Sequence, residues 1–243
     1  MKRFFSVFAI CSFALQAQDA NIIRMLDSKL NVSQRNDACY ALRDVATPEA
    51  LAAFRRALES PEIRACAARN LRNAGAVDQL KAALSGGDPE IRAVAALELG
   101  SLAKPEFIDL LADAARDPNL TVATNAFQGL SYYQDRAVLP YLLALSESGG
   151  LVGAMSLSRA VQFADPSVLA VARRLMASKD VPLRLAALRA IGDLGDTSDL
   201  PSLRRLAAKA ESVAAAGRGF GLVPPLDLSR AAQNAIRQIQ NRS

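Results

Sequence analysis

Asp88-Pro89-Glu90-Ile91-Arg92-Ala93-Val94-Ala95-Ala96-Leu97-Glu98-Leu99-Gly100 decides the fold. An acid precedes a proline, then an aliphatic and a basic residue follow. A small residue lies four positions after the aliphatic one, and another aliphatic residue lies eight after it. Steps of four and eight put Ile91, Ala95 and Leu99 on one face of a helix. The same frame fits Ile63-Arg64 with Ala67 and Leu71, and Leu183-Arg184 with Ala187, Ile191 and a closing Gly192. It fits Gln34-Arg35 with Ala38 and Leu42 more loosely, and weaker copies begin at Val122, near Leu151 and at Leu228. The anchors lie 28 to 32 residues apart, except for a last interval of 45. A fixed period in this range belongs to a solenoid, in which each repeat touches only its neighbours.

Each unit reads as two antiparallel helices, and the joints are written into the chain. Thr47-Pro48-Glu49, Ser60-Pro61-Glu62, Asp88-Pro89-Glu90, Asp117-Pro118 and Asp165-Pro166 each set a capping oxygen before a proline. The oxygen satisfies free amides at a helix start, and proline fits the first turn because no amide is needed there. Second helices are expected over 48–58, 77–84, 106–115, 138–146, 167–177 and 200–208. Before the first unit, Asp19 is placed to cap a half-repeat carrying Ile22, Met25, Leu26 and Leu30. The last helix, from Leu228 to Gln240, closes the other end. In the unit around 149–178, Gly149-Gly150 stands where the cap is expected.

This pattern resembles the HEAT repeat, in particular the short HEAT-like repeats first described in phycocyanobilin lyases. The likeness covers about residues 30 to 240. It implies an all-α chain, an α-α superhelix: a right-handed solenoid of about six to seven helical hairpins, whose second helices line a concave, partner-binding face. The composition agrees. Hydrophobic residues are 51% of the 243, aromatics only 5%, and Trp is absent. Alanine supplies much of the apolar total and favours helix, whereas the β-branched and aromatic runs of a sheet protein are missing.

Residues 1–17 read as a signal peptide. Met1-Lys2-Arg3 is a basic start, Phe4 to Leu15 an apolar run, and Ala17 a small residue for cleavage. The run is too short to span a bilayer comfortably. Cys11 lacks the small neighbour of a lipid-modified cysteine. Residues 18–243 then form one repeat solenoid, periplasmic or secreted. Loss of Lys2 and Arg3 lowers the net charge from +5 to +3, so no nucleic-acid partner is expected, and no transmembrane span remains in the mature chain.

The sequence contains no histidine. The commonest general base and zinc ligand are therefore missing, and Ser-His-Asp and Cys-His catalysis are excluded. No catalytic, cofactor or metal residues are assigned. The expectation is a non-enzymatic scaffold, monomeric, that binds a protein. Two other readings stand beside it: an enzyme or chromophore-handling protein related to the HEAT-like lyases, and a binder of an anionic envelope ligand.

Arg35, Arg64, Arg92 and Arg184 share one frame position, and Glu62, Asp88, Asp117 and Asp180 at the turns are placed to interleave with them. The second helices carry Arg55-Arg56, Arg173-Arg174 and Arg204-Arg205, with Lys81 in similar register, while the central units carry Asp113 and Glu147. Adjacent arginines diverge by about 100°, so one of each pair at most faces a common groove. Candidate partner contacts are Arg56, Arg174, Arg205, Tyr132 and Tyr133. Phe220 and Leu222 join them from an irregular loop at 209–227. Cys39 and Cys66 remain after export. They lie in first helices of adjacent units and either form a disulfide or pack as two small apolar thiols.

Overall fold

The computed structural model describes residues 16–208, 212–213 and 226–242. In chain order the helices are α1 over 16–26, α2 (Val32–Ala41), α3 (Pro48–Ala57), α4 (Arg64–Asn73), α5 (Val77–Leu84), α6 (Pro89–Gly100) and α7 (Ile108–Ala114). They continue with α8 (Leu120–Ser131), α9 (Leu139–Glu147), α10 (Gly150–Ala160), α11 (Pro166–Leu175), α12 (Val181–Leu194), α13 (Leu200–Ala207) and α14 (Leu228–Arg242). The described residues also form short 3-10 turns at Pro105–Phe107, Arg136–Val138, Val161–Phe163 and Thr197–Asp199, and a two-residue antiparallel ladder, Ser212 opposite Asp227 and Val213 opposite Leu226. Every anchor read from the sequence falls in or at the start of an even-numbered helix. First helices pack on one another, α2 on α4, α4 on α6 and α6 on α8, and likewise α10 on α12 and α12 on α14.

Two compact units result. One takes the described residues up to Phe107 together with Asp117–Tyr132. The other takes Ile108–Arg116 and the described residues from Tyr133 on. In the first, α4 packs on α2, α3, α5 and α6, and α6 packs on α8. In the second, α10 packs on α9 and α12, and α14 closes on α12 and α13.

The frame explains the core. Ala38, Ala67, Ala95, Ala126, Ala187 and Ala232 at position four, with Leu42, Leu71, Leu99, Leu130 and Ile191 at position eight, are all at most 1% exposed. Alanine at position four costs little side-chain entropy and lets the two helices of a hairpin nest closely.

A second periodicity governs the joints between first helices. Position nine of one meets position seven of the next. A Cβ built on Gly100 lies 2.2 Å from the Cα of Gly129, and one built on Gly192 lies 3.2 Å from the Cα of Ala235. At the α4–α6 joint the same positions hold Arg72 and Glu98, whose Nη1 and Oε2 are 2.8 Å apart. Small residues bring the backbones together, and a long ion pair fills the same place where they are absent. One step closer to the N-terminus, Asn70 at position seven donates to the Cys39 carbonyl at 2.8 Å.

The helix starts are satisfied as physics requires, though not always by the residue that the sequence suggests. Thr47, Asp88 and Asp165 cap α3, α6 and α11 as expected. Ser60 and Asp117 do not cap. The Ser60 hydroxyl donates to Glu62 at 2.9 Å and accepts from Arg35 at 2.7 Å, and α4 starts with no side-chain cap. Asn119 caps α8, because Asp117 stands two residues outside the cap position and is engaged by Arg92. Asp19 lies inside α1 rather than at its start, and α1 ends at residue 26, so Leu30 belongs to the following turn.

The missing cap at Gly149-Gly150 comes from the next repeat. Asp180 Oδ1 accepts from Leu183 N at 3.1 Å and caps α12, while its Oδ2 accepts from Gly150 N at 2.6 Å at the start of α10. One carboxylate thus serves two helix N-termini, where negative charge is favoured. Asp180→Ala uncaps both and is expected to cost about 2 kcal/mol, read from the urea midpoint.

Candidate functional site

Two sets of arginines behave differently. Arg35, Arg64 and Arg92, at the shared frame position of the first unit, are each held twice. Arg35 Nε donates to Met25 O at 3.1 Å, Arg64 Nε to Leu58 O at 2.7 Å, and Arg92 Nη1 to Gly87 O at 2.8 Å. Their guanidinium ends meet the acid at the start of the following first helix. The pairs are Arg35–Glu62 at 3.6 Å, Arg64–Asp88 at 3.5 Å and Arg92–Asp117 at 3.0 Å. Arg92 and Asp117 are bidentate, with Nη2 donating to Oδ1 at 3.1 Å. In the second unit Arg184 Nε donates to Met176 O at 3.2 Å. The row expected from the sequence is therefore a ladder, each rung tying the end of one hairpin to the start of the next.

The second helices divide. Arg173 is bidentate with Asp199, at 2.8 and 2.9 Å, and Arg174 pairs with Glu147. Arg174, a candidate partner contact, is thus paired within the fold while its side chain stays exposed. Among the described residues Arg205 makes one hydrogen bond, to Ser202 Oγ at 3.2 Å. Among the described residues Arg55, Arg56 and Arg204 are exposed and have no hydrogen bond or ion pair. Lys81 lies over the Phe107 ring, 5.4 Å from its centroid. In the first unit Arg56 borders an open cleft of about 500 Å3, shared with Leu26, Arg35, Ser60, Pro61 and Glu62.

Tyr132 is 44% exposed, but Tyr133 is 3% exposed. Two residues past the end of α8, the backbone turns Tyr133 into the core, so it presents almost no surface. Tyr141 donates to Asp109, and that bond with its partial burial raises its pKa. Phe220 and Leu222 lie outside the described residues, as does most of the 209–227 segment. So do residues 1–15 of the signal-peptide reading. Cys39 and Cys66 form a disulfide between α2 and α4, with Cα atoms 6.4 Å apart.

Electrostatics separates one acid from the others. Hydrogen bonds from Arg92 hold Asp117 below the ordinary carboxylate range. Glu62 is lowered by a backbone hydrogen bond, then by Ser60 and by the Arg35 charge. Asp165 and Asp196 are lowered chiefly by Ser167 and Ser198. Glu98 is raised: burial at 7% exposure outweighs the Arg72 and Arg69 charges. The 2.8 Å contact with Arg72 is an ion pair without a directed hydrogen bond to Oε2.

The signs oppose. The lowered acids contribute stability that is present above their unfolded values, 3.8 for Asp and 4.5 for Glu, and is lost as pH falls through the folded values. Glu98 binds its proton more tightly when folded, so its contribution diminishes as pH rises above 4.5. Glu98→Gln is expected to remove that decline, giving a flatter stability profile between pH 4.5 and 7 by urea titration at several pH values.

Among the described residues no three of His, Cys, Asp and Glu gather as metal ligands, and no helix is long and apolar enough to cross a membrane.

The repeat geometry meets an independent finding at α5 to α10. Residues 77–153 match the family model of HEAT repeats. Over this stretch the chain is similar to HEAT repeats. The matched stretch holds the frames anchored at Ile91 and Val122 and reaches the one near Leu151. No curated protein matches the chain. Among solved structures it is similar to human deoxyhypusine hydroxylase in complex with glycerol, at 17% identity and TM-score 0.39, covering 93% of this chain and 96% of that one. It is also similar to two engineered proteins. One has 16% identity and TM-score 0.46, covering 92% of this chain and 68% of that one. The other has 17% identity and TM-score 0.33, covering 93% and 97%.

Proposed function

We propose that this HEAT-repeat chain is exported to the periplasm or the cell exterior, is processed after Ala17, and binds a protein partner through its second helices without catalysing a reaction. The observation that carries the binding reading is the contrast between the two arginine sets. Arg35, Arg64 and Arg92, at one frame position, are matched by carbonyls and carboxylates and Arg184 by a carbonyl, whereas Arg55, Arg56 and Arg204 on second helices are exposed and unmatched among the described residues. Arginine is enriched at protein interfaces, and an unmatched guanidinium suits a carboxylate brought by a partner. Export is supported by the basic start, apolar run and small residue of positions 1–17. The Cys39–Cys66 disulfide supports it as well, because such bonds persist in oxidising compartments. The absence of histidine from the sequence supports the non-catalytic reading.

The test is crosslinking capture from the envelope fraction, with the intact chain, with R55E/R56E/R204E, and with a chain lacking residues 212–225. The reading expects a protein captured by the intact chain and lost with the reversed charges. Loss on the deletion alone moves recognition to Phe220 and Leu222. No captured protein with the intact chain refutes the binding reading.

A further inference from the structure

The second helices of the second unit carry a graded row of charge. Asp113 on α7, Glu147 on α9, Arg174 on α11 and Arg205 on α13 succeed one another, one per helix, with α9 packed on both α7 and α11. The signs run minus, minus, plus, plus. Glu147 and Arg174 neutralise each other in the middle. The ends stay outward. Asp113 is 85% exposed, with a 3.4 Å contact to Arg116 on the same helical turn, and Arg205 is exposed and bonded only to Ser202 among the described residues. Asp109 and Arg204 repeat the two signs beside these ends.

A row that is negative at one end and positive at the other is complemented by its own reverse. A two-fold axis through its middle sets Asp113 of one copy against Arg205 of the other and, at the same time, Arg205 against Asp113. This reciprocity defines an isologous interface. A foreign partner would have to present the same order of charges, and nothing in the structure points to one. We infer that this face docks on a second copy of the chain, giving a two-fold dimer in place of the monomer expected from the repeat pattern. It rests on the second helices forming a binding face. It needs no foreign partner, so the two readings fail separately.

The experiment is sedimentation velocity of the mature chain over a concentration series, at low and at physiological salt. The wild type is expected to dimerise, less so as salt screens the facing charges. D113R and R205D each lower dimer affinity about tenfold or more, because like charges then face each other twice. Mixing the two variants restores association, since every 113–205 contact is again between opposite signs. Circular dichroism verifies that both variants fold, and replacement at these exposed positions leaves the melting temperature nearly unchanged. A wild type that stays monomeric at low salt overturns the inference. So does a dimer that neither variant weakens, or variants that fail to rescue each other. If R205D instead reduces envelope capture while the wild type stays monomeric, the face binds a foreign protein and the dimer is excluded.

Discussion

Replacing Gly100 with alanine is expected to lower the unfolding free energy by about 3 kcal/mol, at the upper end of ordinary overpacking. The added Cβ would stand 2.2 Å from the Gly129 Cα and 2.8 Å from its carbonyl carbon. Both are backbone atoms of α8, so neither can swing aside, and the α6–α8 joint must open. Two comparisons isolate the cause. Gly192→Ala adds its methyl 2.1 Å from Gln238 Oε1, the mobile end of a side chain, and 3.2 Å from the Ala235 Cα. Gln238 can rotate away from Asp193, so about 1 kcal/mol is expected. Gly87→Ala meets nothing within 4 Å and should stay within about 0.5 kcal/mol of wild type. Urea unfolding of the three variants reads all of this. Equal effects at 100 and 87 would refute the close approach.

Reduction of the Cys39–Cys66 bond is expected to cost about 3 kcal/mol, because the bond closes a loop over a sequence separation of 27 and limits the unfolded chain. Cys39 is 0% and Cys66 5% exposed, so reductant should act on the folded chain slowly and on the unfolded chain quickly. The urea midpoint with and without reductant measures the effect, and a C39A/C66A variant should match the reduced protein closely. Thiol titration of a denatured, oxidised chain comprising residues 18–243 should find no free thiol. A midpoint unmoved by reductant would contradict the staple.

What the sequence made legible follows from what repeats. Position four and position eight are core positions in nearly every copy, so Ala95, Leu99 and their equivalents could be placed by spacing alone. Caps next to proline were legible where the acid stood at the cap position, as at Asp88 and Asp165. They were misleading at Asp117, where the carboxylate is taken by Arg92 and Asn119 caps instead. The cap for Gly150 was hidden because Asp180 supplies it from 30 residues away. Arg174 and Arg56 look alike in sequence. They differ because Glu147 on the neighbouring second helix pairs with Arg174, whereas Asp78 on α5 makes no pair with Arg56. Tyr132 and Tyr133 separate only once the end of α8 fixes which of them turns inward. The contact between positions nine and seven carried a usable signal: Gly100 precedes Gly129, and Gly192 precedes Ala235. Finding it requires aligning one copy against the next rather than reading each alone.

Arg35, Arg64 and Arg92 tie neighbouring hairpins together, and we propose that the exposed Arg55, Arg56 and Arg204 are kept for a partner. The most direct measurement is a urea-unfolding comparison of single alanine variants from the two sets. R35A, R64A and R92A each leave a backbone carbonyl and a carboxylate without their partner, and each is expected to lose about 2 kcal/mol. R55A, R56A and R204A remove exposed groups that have no bond among the described residues, and each should stay within about 0.5 kcal/mol of wild type. A second-helix variant as damaging as R92A, or a first-helix set without effect, would contradict the division of labour.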